Sequence, residues 1–268
     1  MTGPTVLTEQ DIDARMAVAL ETIARAGDLA LGYYRDLSSL DIATKGPQDL
    51  VSQADRNTEA LIKSAFAEHF PNDAFVGEET GAAGVADDVA IWVVDPIDGT
   101  TPFLLGLPTW CISIALVSDG EIQIGLILNP ATGDLYAARR GHGATLNGRT
   151  ITVREASSLA DGVTAVGCSM RTTPRDLGTM MERLLAQNGM YHRIGSGALS
   201  LCYVAAGQLI GYVEMHINSW DCLAALCIVT EAGGVTSPFL AEQGVNGGGR
   251  LVVGGPAVFD QLAALLPD

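Results

Sequence analysis

The chain has 268 residues, enough to bury a sizeable core as one large domain or as two smaller lobes. Its hydrophobic fraction of 48% and mean hydropathy of +0.26 are typical of a well-packed globular protein. The formal net charge of −16 argues against binding to nucleic acid or to an acidic membrane surface. It would also repel an anionic substrate, unless bound divalent cations reverse the charge locally.

Targeting and cysteine signals favour a cytoplasmic protein. No uninterrupted apolar run reaches the roughly 18 residues that would span a bilayer. The first residues also lack the basic and apolar regions of a secretory signal. Five scattered cysteines without a CxxC pair are expected to be reduced, buried thiols, and neither disulfides nor zinc ligands.

Two amphipathic helices are expected near the start of the chain. The apolar spacing predicts one helix from Thr8 to about Arg35, opened by a capping box that pairs Thr8 with Asp11. A second helix is predicted over about 56–70. Asp55 directly precedes this helix, and its simplest interpretation is a helix N-cap.

The stretch that follows is typical of a strand meander. A short strand at 74–76 leads into two adjacent acids, Glu78 and Glu79, of which at most one is expected to join a shared cluster. Further strands are predicted at about 92–94, 110–117, 121–128 and 134–138. Asn147 and Gly148 form a hairpin signal, so antiparallel pairing is expected here.

Strands and helices alternate in the second half of the chain. Strands are predicted at 163–167, 211–215, 235–236 and 251–253, and helices at 174–188, 199–206, 221–231 and 256–265. The last of these would have Pro256 at its first position. The change of pattern predicts two α/β lobes, 1–145 and 146–268, that act as one catalytic unit.

One motif carries the strongest chemical signal, Asp95-Pro-Ile-Asp98-Gly-Thr-Thr, directly after a buried strand. Pro96 and Gly99 bend the segment, so that Asp95 and Asp98 can converge at a strand end, where α/β proteins bind ligands. Two such acids would take up a proton unless a cation lies between them, and oxygen ligands favour Mg²⁺. Taken alone, however, an acidic turn after a strand is more often an ordinary loop.

The remaining candidate acids each have an ordinary explanation of their own. Glu78 could lie in a solvated turn, and Glu214 could pair with an arginine. Asp221 could be an acid in the first turn of a helix, where the helix dipole stabilises a negative charge. Most of them nevertheless stand where a predicted strand ends or a helix begins. Such ends gather at one edge of an α/β sheet, which favours a shared cluster.

Three separated motifs together resemble the inositol monophosphatase family. They are Asp95-Pro-Ile-Asp98-Gly-Thr-Thr, the upstream Gly77-Glu78-Glu79, and Trp220-Asp221 ahead of Ala-Gly-Gly. The resemblance extends from about Lys45 to Gly234. It implies a Mg²⁺-dependent, lithium-sensitive phosphomonoesterase, commonly a homodimer. The implied fold is a layered α/β/α/β/α sandwich of the sugar-phosphatase type, with mixed and antiparallel sheets in two lobes.

The same resemblance implies a role for individual residues. Two to three Mg²⁺ ions would be bound by Glu78, Asp95, Asp98, Asp221 and the backbone carbonyl of Ile97. Asp55 and Thr100 match the pair that activates the attacking water, which Glu78 helps to position. Contacts to the substrate are implied for Asp98, Gly99, Thr100, Thr101, Ser169, Gly195, Ser196, Glu214 and Asp221. Most metal ligands would thus lie in the first lobe, and the substrate pocket in the second.

The identity of the substrate stays open at this point. Pro102 and Asn218 depart from the usual family residues at the wall of the pocket. We expect myo-inositol-1-phosphate. Histidinol phosphate is the main alternative, because the segment from Gly106 to Trp110 resembles that of histidinol-phosphate phosphatases, and fructose-1,6-bisphosphate is another. Thr101 counts against 3′-phosphoadenosine 5′-phosphate. A regulatory role through a protein partner is the non-enzymatic alternative.

Overall fold

The computed structural model describes residues 7–39, 42–46, 49–81 and 89–267. Its helices are α1 Glu9–Arg35, α2 Gln53–His69, α3 Thr100–Leu104, α4 Pro174–Ala186, α5 Gly197–Ala205, α6 Ser219–Glu231, α7 Phe239–Gln243 and α8 Phe259–Ala263. Its strands are β1 Ile42–Gly46, β2 Asp49–Ser52, β3 Ala74–Gly77, β4 Ile91–Asp98, β5 Cys111–Ser118, β6 Glu121–Asn129, β7 Asp134–Arg139, β8 Ala144–Leu146, β9 Arg149–Thr150, β10 Val163–Val166, β11 Met190–His192, β12 Gly211–Asn218, β13 Val235–Thr236 and β14 Gly248–Gly254.

Two large sheets form the framework. The first has seven strands in the order β3-β4-β5-β6-β7-β8-β9, and all neighbours are antiparallel except β3 and β4, which are parallel. The second has five strands in the order β11-β10-β12-β14-β13 and mixes parallel with antiparallel pairs. Strands β1 and β2 form a separate antiparallel pair.

Helices separate and cover the two sheets in five layers. α1 and α2 pack on the outer face of the first sheet, and α5 and α6 fill the space between the sheets. α4 and α8 pack beside the second sheet, on its other face. The central strands β4 and β5 are buried along their whole length, because helices cover both of their faces. The expected α/β/α/β/α sandwich with mixed sheets is therefore confirmed.

Capping residues decide where the first two helices begin. Thr8 caps α1, and its backbone N–H donates to the Asp11 carboxylate at 2.9 Å, as the predicted capping box requires. α2 begins three residues earlier than predicted, because Ser52 is its N-cap and Asp55 is the third residue of the helix. The interpretation of Asp55 as the N-cap was therefore wrong.

Other boundaries show where pattern and structure differ. Asn147 and Gly148 both have positive φ values, 50° and 75°, as the predicted hairpin requires. The last helix begins at Phe259 rather than at Pro256, because residues 256–258 form a turn before it. β11 was not predicted, since Met190 and Tyr191 are exposed and give no buried alternation. Among the described residues, no helix combines the length and the hydropathy needed to cross a membrane.

The contact between β6 and α6 depends on a glycine. A Cβ atom added to Gly125 would lie 2.2 Å from the carbonyl oxygen of Ala224 in α6. No side chain fits in that gap, so the helix packs directly on the strand backbone. This close approach fixes the height of α6 above the first sheet.

We therefore expect Gly125→Ala to lower the free energy of unfolding by about 1–3 kcal/mol or more, through overpacking. Gly32→Ala is the matched control, because Gly32 lies in α1 with nothing within 4 Å of an added Cβ. This second change should stabilise the protein by about 0.5–1 kcal/mol. Urea unfolding of both variants measures the difference, and equal stability would contradict the close packing.

Candidate active site

Three carboxylates meet where β4 ends and α6 begins. Asp95 and Asp98 come from β4, Asp221 comes from the first turn of α6, and one carboxylate oxygen of each lies within 4.8 Å of the others. The pairing of β4 with β5 is irregular between Asp95 and Asp98. Such an irregularity turns two acids that are three residues apart toward the same side of the strand.

Asp98 is held by residues from the second half of the chain. Its Oδ2 accepts a hydrogen bond from the Ser196 hydroxyl at 2.6 Å and from the Ala198 backbone N–H at 2.7 Å. Both donors belong to the start of α5, where Ser196 is the N-cap. The carboxylate on β4 is therefore tied to the loop that precedes α5.

Local backbone donors orient the other two acids. Asp95 Oδ1 accepts from the backbone N–H of Ile97 at 2.9 Å. Asp221 Oδ2 accepts from the backbone and side-chain nitrogens of Asn218 at 3.0 and 3.1 Å, in the capping box of α6. One oxygen of each carboxylate is engaged in this way, and the other can serve a ligand.

Electrostatics make this cluster costly without a cation. Burial raises the pKa of Asp95 well above its usual range, and the charges of Glu78, Asp221 and Asp98 raise it further. The pKa of Asp98 rises to about 7, mainly through burial and secondly through the charge of Asp221. Burial also raises the pKa of Asp221. The cluster must take up protons or a cation, and its all-oxygen donor set fits Mg²⁺.

Glu78 stands beside this cluster because β3 runs parallel to β4. It is the first residue after β3, and its backbone N–H donates to the carbonyl of Val94 at 3.2 Å. Its negative charge is the second largest cause of the raised pKa of Asp95. The structure thus brings the acid of the Gly77-Glu78-Glu79 motif to the acids of the central motif.

Asp55 and Thr100 also lie together, as the resemblance implied. The Thr100 hydroxyl lies 3.4 Å from Asp55 Oδ1 and 3.2 Å from the carbonyl oxygen of Ile97. The other oxygen of Asp55 accepts from the backbone N–H and the hydroxyl of Ser52, at 2.8 and 2.7 Å. Burial raises the pKa of Asp55. A threonine hydroxyl is therefore held between a carboxylate and a carbonyl beside the acid cluster.

A cavity of about 150 Å³ opens next to these acids. Its wall contains Asp98 and Asp221 together with the expected substrate contacts Ser169, Gly195, Ser196 and Glu214. Ser169 is fixed there by a hydrogen bond from its hydroxyl to the carbonyl of His216 at 3.2 Å. The Arg193 side chain, which sequence analysis did not single out, also lines this cavity.

Glu214 is buried in this wall and forms a hydrogen bond with the Tyr212 hydroxyl. Burial raises the pKa of Glu214 to about 8, although the Tyr212 hydrogen bond opposes the shift. The carboxyl group is therefore largely protonated at neutral pH. It can donate one hydrogen bond and accept others, as a hydroxyl-rich ligand requires.

The segment after the central motif forms the short helix α3. Gly99 caps this helix with a φ of 95°, and Thr100 and Thr101 form its first turn. Pro102 follows in the same turn, where a missing N–H costs no helical hydrogen bond. It is buried, and a Cβ on Gly195 would lie 2.8 Å from its Cγ. Pro102 therefore packs closely against the backbone of the substrate-side loop.

Glu59 is a buried acid near the site that sequence analysis missed. It lies one helical turn after Asp55 on α2, and its carboxylate accepts hydrogen bonds from the backbone of Glu79 and Thr80. The only signal in the sequence was its spacing, four residues after Asp55 on the same helix face.

The raised pKa of Glu214 predicts a pH dependence of stability in the metal-free protein. An acid with a folded pKa of about 8 and an unfolded pKa near 4.5 binds more protons when folded between these values. The free energy of unfolding should therefore fall as pH rises from about 4.5 to 8. In Glu214→Gln this part of the pH dependence should vanish. Urea unfolding at pH 5 and 8.5, with a chelator present, measures the free energy of unfolding of the wild type and of Glu214→Gln. An equal change with pH in both proteins would contradict the raised pKa of Glu214.

Comparison with known proteins agrees with this geometry. The model of the inositol monophosphatase family matches residues 11–267. An inositol-1-monophosphatase from Mesorhizobium japonicum is 36% identical over 91% of this chain and 93% of its own, and the Nus factor SuhB of Escherichia coli K12 is 31% identical over 94% and 95%.

Solved structures resemble the fold over nearly the whole chain. The SuhB protein of Bartonella henselae superposes with a TM-score of 0.88 at 32% identity, covering 95% of this chain and 99% of its own. An inositol monophosphatase from Anabaena gives a TM-score of 0.82 at 29% identity, covering 96% and 98%. The chain therefore belongs to the inositol monophosphatase family and is a phosphomonoesterase.

Proposed function

We propose that this protein hydrolyses the phosphate monoester of a small polyol with Mg²⁺ as cofactor, and that myo-inositol-1-phosphate is the preferred substrate. One observation carries the proposal: the cluster of Asp95, Asp98 and Asp221 adjoins a cavity whose wall contains Ser169, Ser196 and the buried Glu214. A charged phosphate and a neutral, hydroxyl-rich leaving group would match these two parts of the site.

The metal-binding role is assigned to the acids around the end of β4. Glu78, Asp95, Asp98, Asp221 and the carbonyl of Ile97 would hold two to three Mg²⁺ ions. When bound, Mg²⁺ supplies charge neutralisation for the phosphoryl group and lowers the pKa of the attacking water. Lithium sensitivity is part of the same proposal, since it accompanies this ligand set in the family.

Asp55 and Thr100 are proposed to orient and deprotonate the attacking water. The Thr100 hydroxyl lies within reach of Asp55, so it can accept a proton from water while it donates its own to the carboxylate. Glu78 helps to position the same water. The backbone N–H groups of Gly99, Thr100 and Thr101 would bind the phosphate oxygens at the start of α3.

The leaving group would contact Ser169, Gly195, Ser196 and Glu214. Burial favours the neutral form of Glu214, which suits a substrate hydroxyl better than an ammonium group. Arg193 lines the same cavity, and its positive charge would repel the ammonium group of histidinol phosphate. These features support a polyol phosphate over histidinol phosphate. Fructose-1,6-bisphosphate, the lesser alternative from the sequence, becomes the second candidate here, because Arg193 could bind its other phosphate.

Asp98→Asn should reduce kcat by more than 100-fold, because it removes a charge from the proposed metal cluster. The fold should persist, since Asn can still accept from Ser196. Asp260→Asn, an exposed change in α8, is the control and should keep full activity. Removing Mg²⁺ with a chelator should stop wild-type turnover, and adding Mg²⁺ should restore it. Full activity in Asp98→Asn or in chelator would contradict the metal assignment.

Relative kcat/KM values decide the substrate. We expect myo-inositol-1-phosphate to exceed fructose-1,6-bisphosphate, histidinol phosphate and 3′-phosphoadenosine 5′-phosphate when each is assayed with Mg²⁺. The Arg193→Gln variant should gain relative activity on histidinol phosphate, because a repulsive charge is removed. A wild-type preference for histidinol phosphate would overturn the choice of substrate without affecting the proposed metal site.

A cytoplasmic homodimer with two lobes completes the proposal. The side chains of Leu105, Leu107 and Met170 are exposed by 69, 48 and 68%, and they border one groove beside the cavity. Exposed apolar patches of this kind favour contact with a second copy, which sedimentation equilibrium would detect. The lobe boundary near residue 145 stays a prediction, and the change from the first sheet to the second lies a little later, between Thr150 and Val163. The net charge of −16 disfavours direct nucleic-acid or membrane binding.

A role as a Nus factor is the second candidate function. It rests on the relatives of that name, which match this chain over more than nine-tenths of its length. The inactive Asp98→Asn variant separates the two functions. If that variant replaces SuhB in an Escherichia coli strain that lacks it, the role is independent of phosphatase activity; if neither protein does so, this candidate is rejected.

A further inference from the structure

Glu59 binds the turn that carries Glu78. Its side chain is 1% exposed, and its two carboxylate oxygens accept the backbone N–H groups of Glu79 and Thr80, each at 2.9 Å. These are charge-assisted hydrogen bonds, which are shorter and stronger than neutral ones. A single buried side chain on α2 thus holds two successive peptide units of the turn.

The turn is shaped to admit this carboxylate. A Cβ atom added to Gly77 would lie 2.3 Å from Glu59 Oε2, so only glycine leaves room for it. The backbone N–H of Gly81 closes the turn by donating to the carbonyl of Gly77 at 2.8 Å. The glycine of the Gly77-Glu78-Glu79 motif therefore allows the close contact with α2, one residue before Glu78.

Burying this acid has a desolvation cost that the hydrogen bonds from the turn offset only in part. Burial raises the pKa of Glu59, although the two backbone donors oppose this shift. Asp55 lies one turn earlier on the same helix and faces Thr100. α2 is thus connected to two proposed parts of the site, the water-activating pair and the turn with Glu78.

We propose that Glu59 is a positioning residue that fixes the Glu78 turn to α2 and so keeps the Glu78 side chain directed at the metal cluster. The inference rests on the proposed function, in which Glu78 is a metal ligand. Residues that orient metal ligands from outside the coordination sphere typically change metal affinity by 10–100-fold when they are mutated. The effect should therefore appear in metal binding as well as in turnover.

The chain provides a matched control in Glu231. This residue lies at the end of α6, and its carboxylate accepts the backbone N–H groups of Gly141 and Gly143 at 2.8 and 2.7 Å. It therefore makes the same pair of contacts to a turn between β7 and β8. None of the residues proposed for the metal site lies in that turn.

Glu59→Gln replaces one acceptor oxygen by an amide that faces a backbone N–H, so the turn should loosen. We expect its affinity for Mg²⁺ alone, measured by isothermal titration calorimetry, to fall about 10–100-fold. The Mg²⁺ concentration for half-maximal activity should rise in parallel, while kcat at saturating Mg²⁺ falls less. Glu231→Gln removes one oxygen from a similar but less buried pair of contacts, so it should lose some stability in urea unfolding and keep wild-type Mg²⁺ affinity.

Wild-type Mg²⁺ affinity in a folded Glu59→Gln variant would overturn the inference, as would an equal loss in Glu231→Gln. Should Glu59→Gln fail to fold, Glu59→Asp takes its place, because the shorter acid keeps the charge but reaches fewer donors. Wild-type affinity in Glu59→Asp would then overturn the inference. If the wild-type protein itself neither binds Mg²⁺ nor hydrolyses phosphate esters, the proposed function fails instead.

Discussion

Repulsion among buried carboxylates is the constraint on which this structure depends. Asp95, Asp98 and Asp221 bring oxygens within 4.8 Å of one another, and burial raises the pKa of each. Each acid accepts a hydrogen bond from a backbone N–H group, and among the described residues none of the three forms an ion pair with a basic side chain. Peptide dipoles can orient a carboxylate without cancelling its charge. The remaining negative potential would favour cation binding at this point, and bound cations would allow a protein of net charge −16 to bind an anion there.

The fold creates this crowding through a few placements. Parallel pairing of β3 with β4 brings Glu78 beside the end of β4, and the irregularity in β4 turns two acids to one side. Asp55 and Asp221 reach the site by a common device. Each is the third residue of a helix, with one oxygen engaged by the N-cap N–H and the other directed away. The capping hydrogen bonds therefore define where the two helices begin and also orient the Asp55 and Asp221 side chains in the candidate site.

The sequence predicted the layered fold and the acids of the candidate site, because the motifs that carry the family resemblance are local signals. Each of these signals depends on a few adjacent residues: the apolar runs of the strands, the hairpin turns and the three motifs. Glu59 was not predicted as part of the site, because its partners are backbone N–H groups about 20 residues away. A pattern of side chains in the sequence does not indicate such contacts. Asp55 was misassigned because serine and aspartate both favour helix caps, and the choice between them depends on which backbone N–H each one reaches. The short edge strand β11 has exposed side chains and so left no periodic signal.

The hydrogen bonds that Asp98 accepts from Ser196 and Ala198 join two regions that are about 100 residues apart in the chain. The same carboxylate thus belongs to the acid cluster and accepts hydrogen bonds from the loop that lines the adjacent cavity. A cation bound to Asp98 would change the strength of the hydrogen bonds between Asp98 and that loop before any substrate binds. If the proposed cation and ester both bind here, their binding would be coupled through Asp98 and this loop.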